Sequence, residues 1–418
     1  MKIFDKFLTD PVNAFHYLPY RKYWFGSFAA VFGERFRFIA SGWLVVVLTN
    51  SPAWLGIIAL CQALPTIILS IPAGAIADKY DSKKLVYVSN FVIGIAHLIV
   101  AILTILNFIN LWLLIIWSAF VGSVFAISAG GQNVLLPKLI EKKAMTSAVA
   151  YTSAIWQTSR VLGPAAAGVA VAIIGPGYSL LLTSIGYILA GAAVFSIKIK
   201  NTSIIRKSSS NIFSEIFEGA LYVYKHKIFL GLTLISFCSS TFGTSYMILL
   251  PIFANDVLEV GVQGFGAMEA AAGVGAIGGT LLVIKFGTLN KIGMTILICS
   301  ALFGISLMIF SLTKILIFSM FTLMIAGMFQ SIYLNFSMTA IQLMVPDELR
   351  GRVMSVYTTT YFLISIGGFL SGTLAAAISV PTTILIFSFI VFIFSVLLSL
   401  LLPQVRHLEF EDIKNMNN

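Results

Sequence analysis

The chain has 418 residues, of which 59% are hydrophobic and 10% are charged, and its formal net charge is +10. So few charged side chains cannot cover a water-soluble surface, which excludes an ordinary soluble globular protein and indicates a membrane protein. The three cysteines stand alone, without a CxxC spacing, and this argues against a disulfide framework.

Long apolar runs recur along the whole chain. The hydrocarbon core of a bilayer is about 30 Å thick, so a helix that crosses it needs roughly 20 apolar residues. Twelve runs meet this length and are numbered here as predicted spans 1 to 12. They cover residues 22 to 48, 53 to 77, 84 to 107, 110 to 135, 146 to 174, 179 to 197, 228 to 252, 263 to 285, 292 to 311, 314 to 343, 353 to 378 and 381 to 402.

Lys and Arg concentrate in every second gap between these runs. The alternate gaps, such as 49 to 52 and 175 to 178, contain neither residue, and Lys314 is the one exception. By the positive-inside rule, this alternation predicts a multi-pass protein of the plasma membrane with both termini in the cytoplasm. The positive net charge then reflects topology and gives no support for a nucleic-acid partner.

The two halves of the chain share a spacing of glycines. An offset of 204 residues relates three pairs, namely Gly74 and Gly278, Gly163 and Gly367, and Gly168 and Gly372. A parallel duplication of this kind is typical of transporters built from two six-helix bundles. The predicted organisation is an N-terminal bundle over 1–197, a cytoplasmic linker over 198–227, a C-terminal bundle over 228–402 and a cytoplasmic tail over 403–418.

Five ionisable residues fall within the predicted spans at membrane depth. They are Glu34, Arg35 and Arg37 in span 1, Arg160 in span 5 and Glu269 in span 8. A charge at the bilayer centre costs about 2.5 to 3.5 kcal/mol on insertion scales, so each is a candidate functional residue. Glu34 and Arg37 are three residues apart and are predicted to pair on one helix face. Ion pairs that only hold helices together stay open as the alternative, although a cavity position is favoured for Arg160.

The gap between spans 2 and 3 reads Gly74-Ala-Ile-Ala-Asp78-Lys79-Tyr-Asp81-Ser-Lys83-Lys84. It resembles the signature loop of the major facilitator superfamily, although Asp81 stands where that pattern has glycine. The resemblance extends over the whole chain and implies an all-α integral membrane fold of twelve transmembrane helices in two six-helix bundles. It also implies a gating role for Gly74, Asp78, Lys83 and Lys84, with Asp78 able to cap a helix N-terminus.

Two further motifs narrow the branch of the superfamily. The stretch Arg160-Val-Leu-Gly163-Pro164-Ala-Ala-Ala-Gly168 is similar to the glycine-proline motif of antiporting exporters. The segments 32–36 and 345–355 resemble the branch that holds macrolide-efflux proteins and enterobactin-type siderophore exporters. The resemblance implies export, and Gly163, Pro164 and Gly168 would allow close helix packing and a kink at a rocking interface.

In this fold spans 1 and 5 line a central cavity, so the resemblance implies that Glu34, Arg37 and Arg160 face one another across solvent. A cationic cavity suits carboxylates, because guanidinium groups bind them in bidentate fashion. Glu34 is the predicted proton-coupling residue, with Glu269 as the second candidate. The other predicted substrate-binding residues, each of which helix packing could also explain, are Gln62, Gln132, Asn133, Trp156, Gln157, Tyr246, Gln330, Asn335 and Tyr361.

We therefore expect a proton-coupled secondary exporter of a small carboxylate-bearing solute, such as a citrate-type siderophore. The chain lacks a GxxxxGK[ST] motif, so it must use a gradient, and it carries no motif of an enzyme, a metal site or a cofactor site. His97 is interpreted as a packing residue. The expected partners are the substrate and membrane lipids, and the expected state is a monomer. The alternatives are a multidrug or macrolide exporter, in which aromatic residues would matter more, and a non-transporting receptor or enzyme of the same fold.

Overall fold

A computed structural model describes residues 11–198, 212–286 and 291–409. The fold is 89% helical, and the described residues form no strand. Within these ranges, ten helical segments are long and apolar enough to cross a membrane. Span 1, which carries Lys22, Glu34, Arg35 and Arg37, falls outside the ten, and spans 5 and 6 are counted there as one segment. The predicted all-α membrane fold is confirmed.

Contacts group the chain into two compact units. The first comprises Met1–Leu48 and Cys61–Ser208, and the second comprises Thr49–Leu60 and Ser209–Asn418. The first five helices are α1 Leu18–Thr49, α2 Pro52–Lys79, α3 Ser82–Ile105, α4 Leu111–Leu135 and α5 Met145–Phe195. The later helices are α6 Ile212–Lys225, α7 Lys227–Cys238, α8 Tyr246–Ile252, α9 Gly261–Phe286, α10 Ile292–Ser311, α11 Leu316–Met344, α12 Asp347–Thr358, α13 Thr360–Ala377, α14 Val380–Leu401 and α15 Pro403–Arg406.

Helix α5 contains both predicted spans 5 and 6. The chain changes direction at Gly175, whose φ of 83° and ψ of 167° lie outside the helical region. Glycine reaches a positive φ without a steric penalty, so one residue replaces the predicted gap of 175 to 178. Helical dihedral angles continue through Pro164, so the kink predicted there stays a prediction.

The second arm of α5 packs tightly against α1 and α3 through small residues. Thr183 donates a hydrogen bond from Oγ1 to the Gly33 carbonyl at 2.9 Å, and Ser184 donates from Oγ to the Gly94 carbonyl at 2.7 Å. A side chain on Gly186 would lie 2.5 Å from the carbonyl oxygen of Ala29, so the backbones could not approach as they do. Small residues and interhelical hydroxyl bonds are the usual means by which helices associate in lipid.

Predicted span 7 is interrupted in the second unit. Between α7 and α8 the backbone winds as a π-helix over Ser239–Gly243, and a second π segment, Phe253–Val257, follows α8. Such segments are rare and often occur at functional sites. The hydroxyl of Ser300 lies 3.2 Å from that of Ser239 and 2.9 Å from that of Ser395, so a buried hydroxyl chain connects three helical segments.

The predicted linker contains a helix. Helix α6 runs along the second part of 198–227, whereas residues 199–211 lie outside the described residues. The side chains of Phe217, Leu221 and Tyr224 are exposed at helical spacing and form an apolar stripe. Glu218 binds Arg352 of α12 through an ion pair of 2.7 Å. The stripe is typical of a helix that lies on a membrane surface.

Candidate functional site

An ion pair lies in the middle of α1. Both Nη2 and Nε of Arg37 contact Oε1 of Glu34, at 2.6 and 2.7 Å. Their side chains are 9% and 23% exposed, respectively. The predicted pair is therefore present, and its short charge-assisted bonds are strong ones. In this structure the Arg37 guanidinium is buried against its own helix partner, so its place in a substrate cavity stays a prediction.

Three residues of other helices surround this pair. Tyr187 of α5 donates a hydrogen bond from its hydroxyl to Oε2 of Glu34 at 3.1 Å. The Arg37 guanidinium lies over the ring of Trp117 of α4, 5.9 Å from its centroid. His97 of α3 stacks on Tyr187 at 5.3 Å and meets Trp117 edge-on at 5.4 Å. Sequence reasoning missed Tyr187 and Trp117, and it treated His97 as packing alone, although a lone histidine at membrane depth was a usable signal.

A second cationic group of the first unit lies on the first arm of α5. Trp156, Arg160 and Gly163 follow one another at a spacing that places them on one helix face. Arg35 of α1 lies along that face, because its guanidinium stands 5.8 Å from the Trp156 ring centroid. Its Cβ and Cγ would also lie 2.6 and 2.5 Å from a Cβ at position 163. Two guanidinium groups therefore share a surface beside a tryptophan that is 47% exposed. The sequence interpretation had not included Arg35 among the binding residues.

The polar residues predicted in the first unit are spread over three helices. Gln62 of α2, Gln132 of α4 and Gln157 of α5 are partly buried, and Asn133 is exposed. Gln132 donates a hydrogen bond from Nε2 to the Ser128 hydroxyl one turn earlier, at 3.1 Å. That bond gives Gln132 a partner within its own helix, so packing accounts for it as well as substrate binding does.

The residues predicted in the second unit are mostly buried. Tyr246, at 3% exposure, packs edge-on against Phe310, so its predicted place in a cavity wall is wrong. Gln330 is 5% exposed and donates a hydrogen bond from Nε2 to the Thr244 hydroxyl at 2.9 Å.

The other candidates of the second unit differ in exposure. Glu269 of α9 is also buried, whereas Tyr361 of α13 is 54% exposed. Asn335 is partly buried and donates to the Ser331 carbonyl at 2.8 Å.

The loop between α2 and α3 is short. Oδ1 of Asp81 accepts a hydrogen bond from the Lys83 backbone N–H at 2.9 Å, so Asp81 caps the N-terminus of α3. Asp78 was the predicted N-terminal cap, but its backbone lies in the last turn of α2. The surroundings of Gly74 and the side chain of Asp78 lie outside what the structure describes. The Lys83 ammonium lies 5.7 Å from the Phe195 ring centroid, and Lys84 is exposed.

The glycine-proline stretch of α5 is closely packed. Gly163, Pro164 and Gly168 are all buried, and the missing side chain at 163 makes room for the stem of Arg35. Within the described ranges, no group of three or more His, Cys, Asp or Glu side chains is placed to hold a metal ion. At membrane depth, the described residues of the first unit therefore offer guanidinium groups, the Glu34 carboxylate and aromatic faces, which can bind an anion and exchange a proton.

The all-α membrane fold, with an ion pair buried inside its spans, is that of a membrane transporter. The family model of the transmembrane secretion effectors matches residues 10–418, and the chain belongs to that family. It is a small-molecule transporter and not an enzyme.

Curated relatives with similar sequences are a siderophore transporter and two kinds of efflux protein. The chain is 30% identical to the staphyloferrin A transporter of Staphylococcus aureus (strain NCTC 8325 / PS 47), over 87% of this chain and 91% of the relative. It is 22% identical to macrolide efflux protein A of Streptococcus pyogenes, over 88% and 90% of the two chains. Identity to the multidrug efflux pump Tap of Mycobacterium tuberculosis (strain ATCC 25618 / H37Rv) is also 22%, over 92% and 93%.

Solved structures with similar folds are transporters as well. A bacterial homologue of the human lysosomal transporter Spinster, inward-facing and unoccupied, gives a TM-score of 0.70 at 16% identity, over 93% of this chain and 99% of that one. The nucleoside transporter NupG gives a TM-score of 0.71 at 13% identity, over 92% and 98%. At these identities the likeness establishes the fold alone.

Proposed function

We propose that this protein exports a small carboxylate-bearing solute of the siderophore class by alternating access. The observation that carries the proposal is the excess of positive charge in the described spans of the first unit, where Arg35, Arg37 and Arg160 stand against Glu34. An anionic cargo would compensate that excess, and guanidinium groups hold carboxylates in a planar, bidentate geometry. The cargo class also agrees with the 30% identical relative, which is a staphyloferrin A transporter.

Cargo would first meet the face of α5 that carries Arg160. Arg35 lies along the same face, and the half-exposed Trp156 ring beside it offers an apolar surface for the carbon skeleton. Arg37 would join only when a cargo carboxylate takes the place of Glu34, because the present ion pair occupies its guanidinium. The site would thus hold one carboxylate at the surface and exchange partners at the buried pair.

The test uses purified protein in liposomes with staphyloferrin A as the probe. We expect the wild type to exchange labelled probe, and Arg160→Ala or Arg35→Ala to lose at least tenfold in exchange while melting near the wild-type temperature. Arg406→Ala, which removes an arginine at the end of the last described helix, is the matched control. If Arg160→Ala exchanges normally, or if it melts much earlier and is restored by a charge-swapped partner, Arg160 has only a structural role.

Export from cells is a separate measurement. Cells with the protein should release more of a carboxylate siderophore into iron-depleted medium than cells without it, as measured by mass spectrometry of the medium. Equal amounts of siderophore in the media of cells with and without the protein would exclude this cargo.

The same cells can locate the two termini. A tag at either end should be inaccessible from outside the cell if both ends are cytoplasmic, as the basic residues predict.

Coupling is proposed to pass through Glu34, because cargo that takes Arg37 leaves this carboxylate buried without its cation. Loss of the partner favours the protonated acid, so cargo binding and protonation would be linked. We expect Glu34→Gln to exchange probe across liposomes and to lose accumulation driven by an imposed pH difference. Glu269→Gln, another neutralised carboxylate at membrane depth, should keep both activities. If Glu269→Gln loses accumulation and Glu34→Gln keeps it, the coupling residue is Glu269 of α9. Accumulation in both variants would indicate another driving force.

The loop between α2 and α3 is proposed to act in gating. Asp78→Asn keeps the size of the side chain and removes its charge, and charges near helix ends contribute about 0.3 to 2 kcal/mol. Turnover of the probe should therefore fall while its binding affinity stays near normal. Asp81→Asn is the companion variant, since Asp81 caps α3 and its loss should lower stability instead. Normal turnover in Asp78→Asn would leave the loop only a topological role.

A second candidate function is export of macrolides or other drugs. It is favoured by the exposed aromatic rings of Trp156 and Tyr361 and by the 22% identical macrolide and multidrug relatives. In that case Trp156→Ala should abolish protection of cells against erythromycin, while Arg160→Ala should leave it intact. If cells export a siderophore and both variants still protect them against erythromycin, this candidate is excluded.

A further inference from the structure

The apolar stripe of α6 lies opposite the face with which this helix packs on the protein. Phe217 is 70% exposed, Leu221 is 39% exposed and Tyr224 is 72% exposed. Their spacing of four and three residues places them on one face of the helix. The other face is closely packed, because a Cβ on Gly219 would lie 2.5 Å from the carbonyl oxygen of Arg352 in α12. Apolar surface of this kind is costly to leave in water, so an apolar environment would stabilise the stripe.

Helix α6 adjoins two candidate membrane spans at one of their ends. Only His226 separates it from the span Lys227–Val257, and α12 contains the beginning of the span Leu349–Ala377. The distribution of basic residues predicts that both of these ends are cytoplasmic. At 1.5 Å per residue α6 is about 21 Å long, so it is too short to cross the bilayer. A face that points away from α12 at this level meets the lipids of the cytoplasmic leaflet.

Two exposed lysines stand at the end of the stripe. Lys225 follows Tyr224 directly, and Lys227 begins the adjoining span. The carboxylate of Glu218 contacts Arg352 at 2.7 Å, so it does not neutralise these lysines. Each lysine near an anionic membrane surface strengthens the attraction to it by a factor of roughly five. The charge therefore fits the phosphate of an anionic lipid, and the stripe fits its acyl chains.

We propose that α6 and the two lysines form a binding site for an anionic phospholipid of the cytoplasmic leaflet. The stripe lies against acyl chains, and the ammonium groups of Lys225 and Lys227 contact the lipid phosphate. The ion pair of Glu218 with Arg352 and the close approach at Gly219 hold the opposite face on α12. Lipid therefore binds α6 without displacing a protein contact. The site uses neither the cargo nor the coupling proton, so it stands apart from the proposed function.

Contact between the stripe and lipid can be measured by fluorescence quenching in vesicles of phosphatidylcholine. The three cysteines, Cys61, Cys238 and Cys299, are first replaced by alanine, and Tyr224→Cys then carries a bimane fluorophore. Lipids with a nitroxide on the acyl chain quench bimane when they touch it. We expect spin-labelled phosphatidylglycerol to reach half-maximal quenching at a concentration at least fivefold lower than spin-labelled phosphatidylcholine. Glu141→Cys, which lies in the loop before α5, is the control and should be quenched much less by either lipid.

The role of the lysines is tested in the same labelled protein. Lys225→Gln combined with Lys227→Gln should bring the two lipids within about twofold of each other, because the stripe remains and the charge is gone. Lys142→Gln combined with Lys143→Gln removes as many exposed lysines from the first unit and should keep the preference. No quenching by either lipid at position 224 would overturn the proposal. So would equal quenching while Lys225 and Lys227 are present, or a preference that survives their replacement.

A second measurement needs no substitution and decides the question even if the cysteine-free protein fails to fold. Phosphatidylglycerol with a photoactivatable acyl chain is irradiated with the wild-type protein in the same vesicles, and the labelled peptides are identified by mass spectrometry. We expect the peptide that contains α6 to carry at least fivefold more label than it does with the matching phosphatidylcholine reagent. Absence of label from that peptide, or equal labelling by both reagents, would overturn the proposal.

Discussion

The two units have a buried glycine at corresponding positions, but different groups pack against it. Gly163 in the first unit and Gly367 in the second are related by the offset of 204 residues, and each makes room for a helix of its own unit. What fills the room differs. At Gly163 it is the side-chain stem of Arg35, whereas at Gly367 it is the backbone carbonyl of Thr241.

The same offset carries Glu34, Arg35 and Arg37 onto positions 238, 239 and 241, which are Cys, Ser and Thr. In the first unit these positions form an ion pair on a regular helix, and in the second they enter a π-helix whose Ser239 joins a hydroxyl chain. The comparison teaches that the two halves share a close-packed glycine at 163 and 367. The chemistry at the positions that the offset relates has diverged, with an ion pair in one unit and neutral side chains in the other.

The ion pair should give the largest difference between the units. Glu34→Ala leaves the buried Arg37 without its carboxylate, and breaking one side of a buried pair costs about 3 to 5 kcal/mol. We expect the free energy of unfolding in detergent to fall by that order, and the double variant with Arg37→Ala to recover most of the loss. Cys238→Ala is the matched change in the second unit and should cost far less. Equal losses at both positions would mean that the charges do not distinguish the units.

The paired glycines test the packing directly. A Cβ at position 367 would collide with the backbone carbonyl of Thr241, whereas a Cβ at 163 would lie 2.5 and 2.6 Å from Cγ and Cβ of Arg35, which is a less severe overlap. Overpacking of a core costs about 1 to 3 kcal/mol, so we expect Gly367→Ala to reach this range and Gly163→Ala to fall below it. Gly163→Ala should instead reduce probe exchange, because it displaces Arg35. Both variants are compared by thermal unfolding and by liposome exchange. A larger loss of stability in Gly163→Ala than in Gly367→Ala would contradict this view.

The hydroxyl chain of the second unit should contribute less than the ion pair of the first. Ser300→Ala removes the hydroxyl that lies between Ser239 and Ser395, and interhelical hydrogen bonds in membrane proteins average about 0.6 kcal/mol. We expect a loss of that size in unfolding experiments. Thr104→Ala serves as the control, because its hydroxyl bonds the carbonyl of Val100 within its own helix. A loss above about 2 kcal/mol would show that the three hydroxyl groups stabilise one another cooperatively.

The smallest effect is expected at the surface of the second unit. Glu218 and Arg352 are 55% and 33% exposed in their ion pair, and such pairs contribute about 0.2 to 1 kcal/mol. Glu218→Gln should therefore lower stability slightly at low salt and have no measurable effect at high ionic strength, since salt screens exposed charges. A loss that persists in high salt would assign the contribution to packing of α6 against α12.

Several features could be predicted because they depend on local rules. The bilayer fixes the length of an apolar run, so the spans followed from counting, and the Glu34–Arg37 pair followed from a spacing of three residues on a helix. The predictions failed where the backbone departed from regular helix. The π segments of span 7, the single-residue turn at Gly175 and the cap at Asp81 each depend on a local geometry that apolar periodicity does not encode.

By itself the sequence determined that the chain spans a membrane, that glycines recur at one offset in its two halves and that its charges at membrane depth lie mostly in the first half. Only the tertiary structure decided which of those charges meet. Arg35 lies along the face of Arg160, and His97 reaches the ion pair through Tyr187 and Trp117, because α1, α3, α4 and α5 pack together. Those contacts join residues far apart in the chain. Their pairing follows from how small residues let helices approach, and no spacing within a single span specifies it.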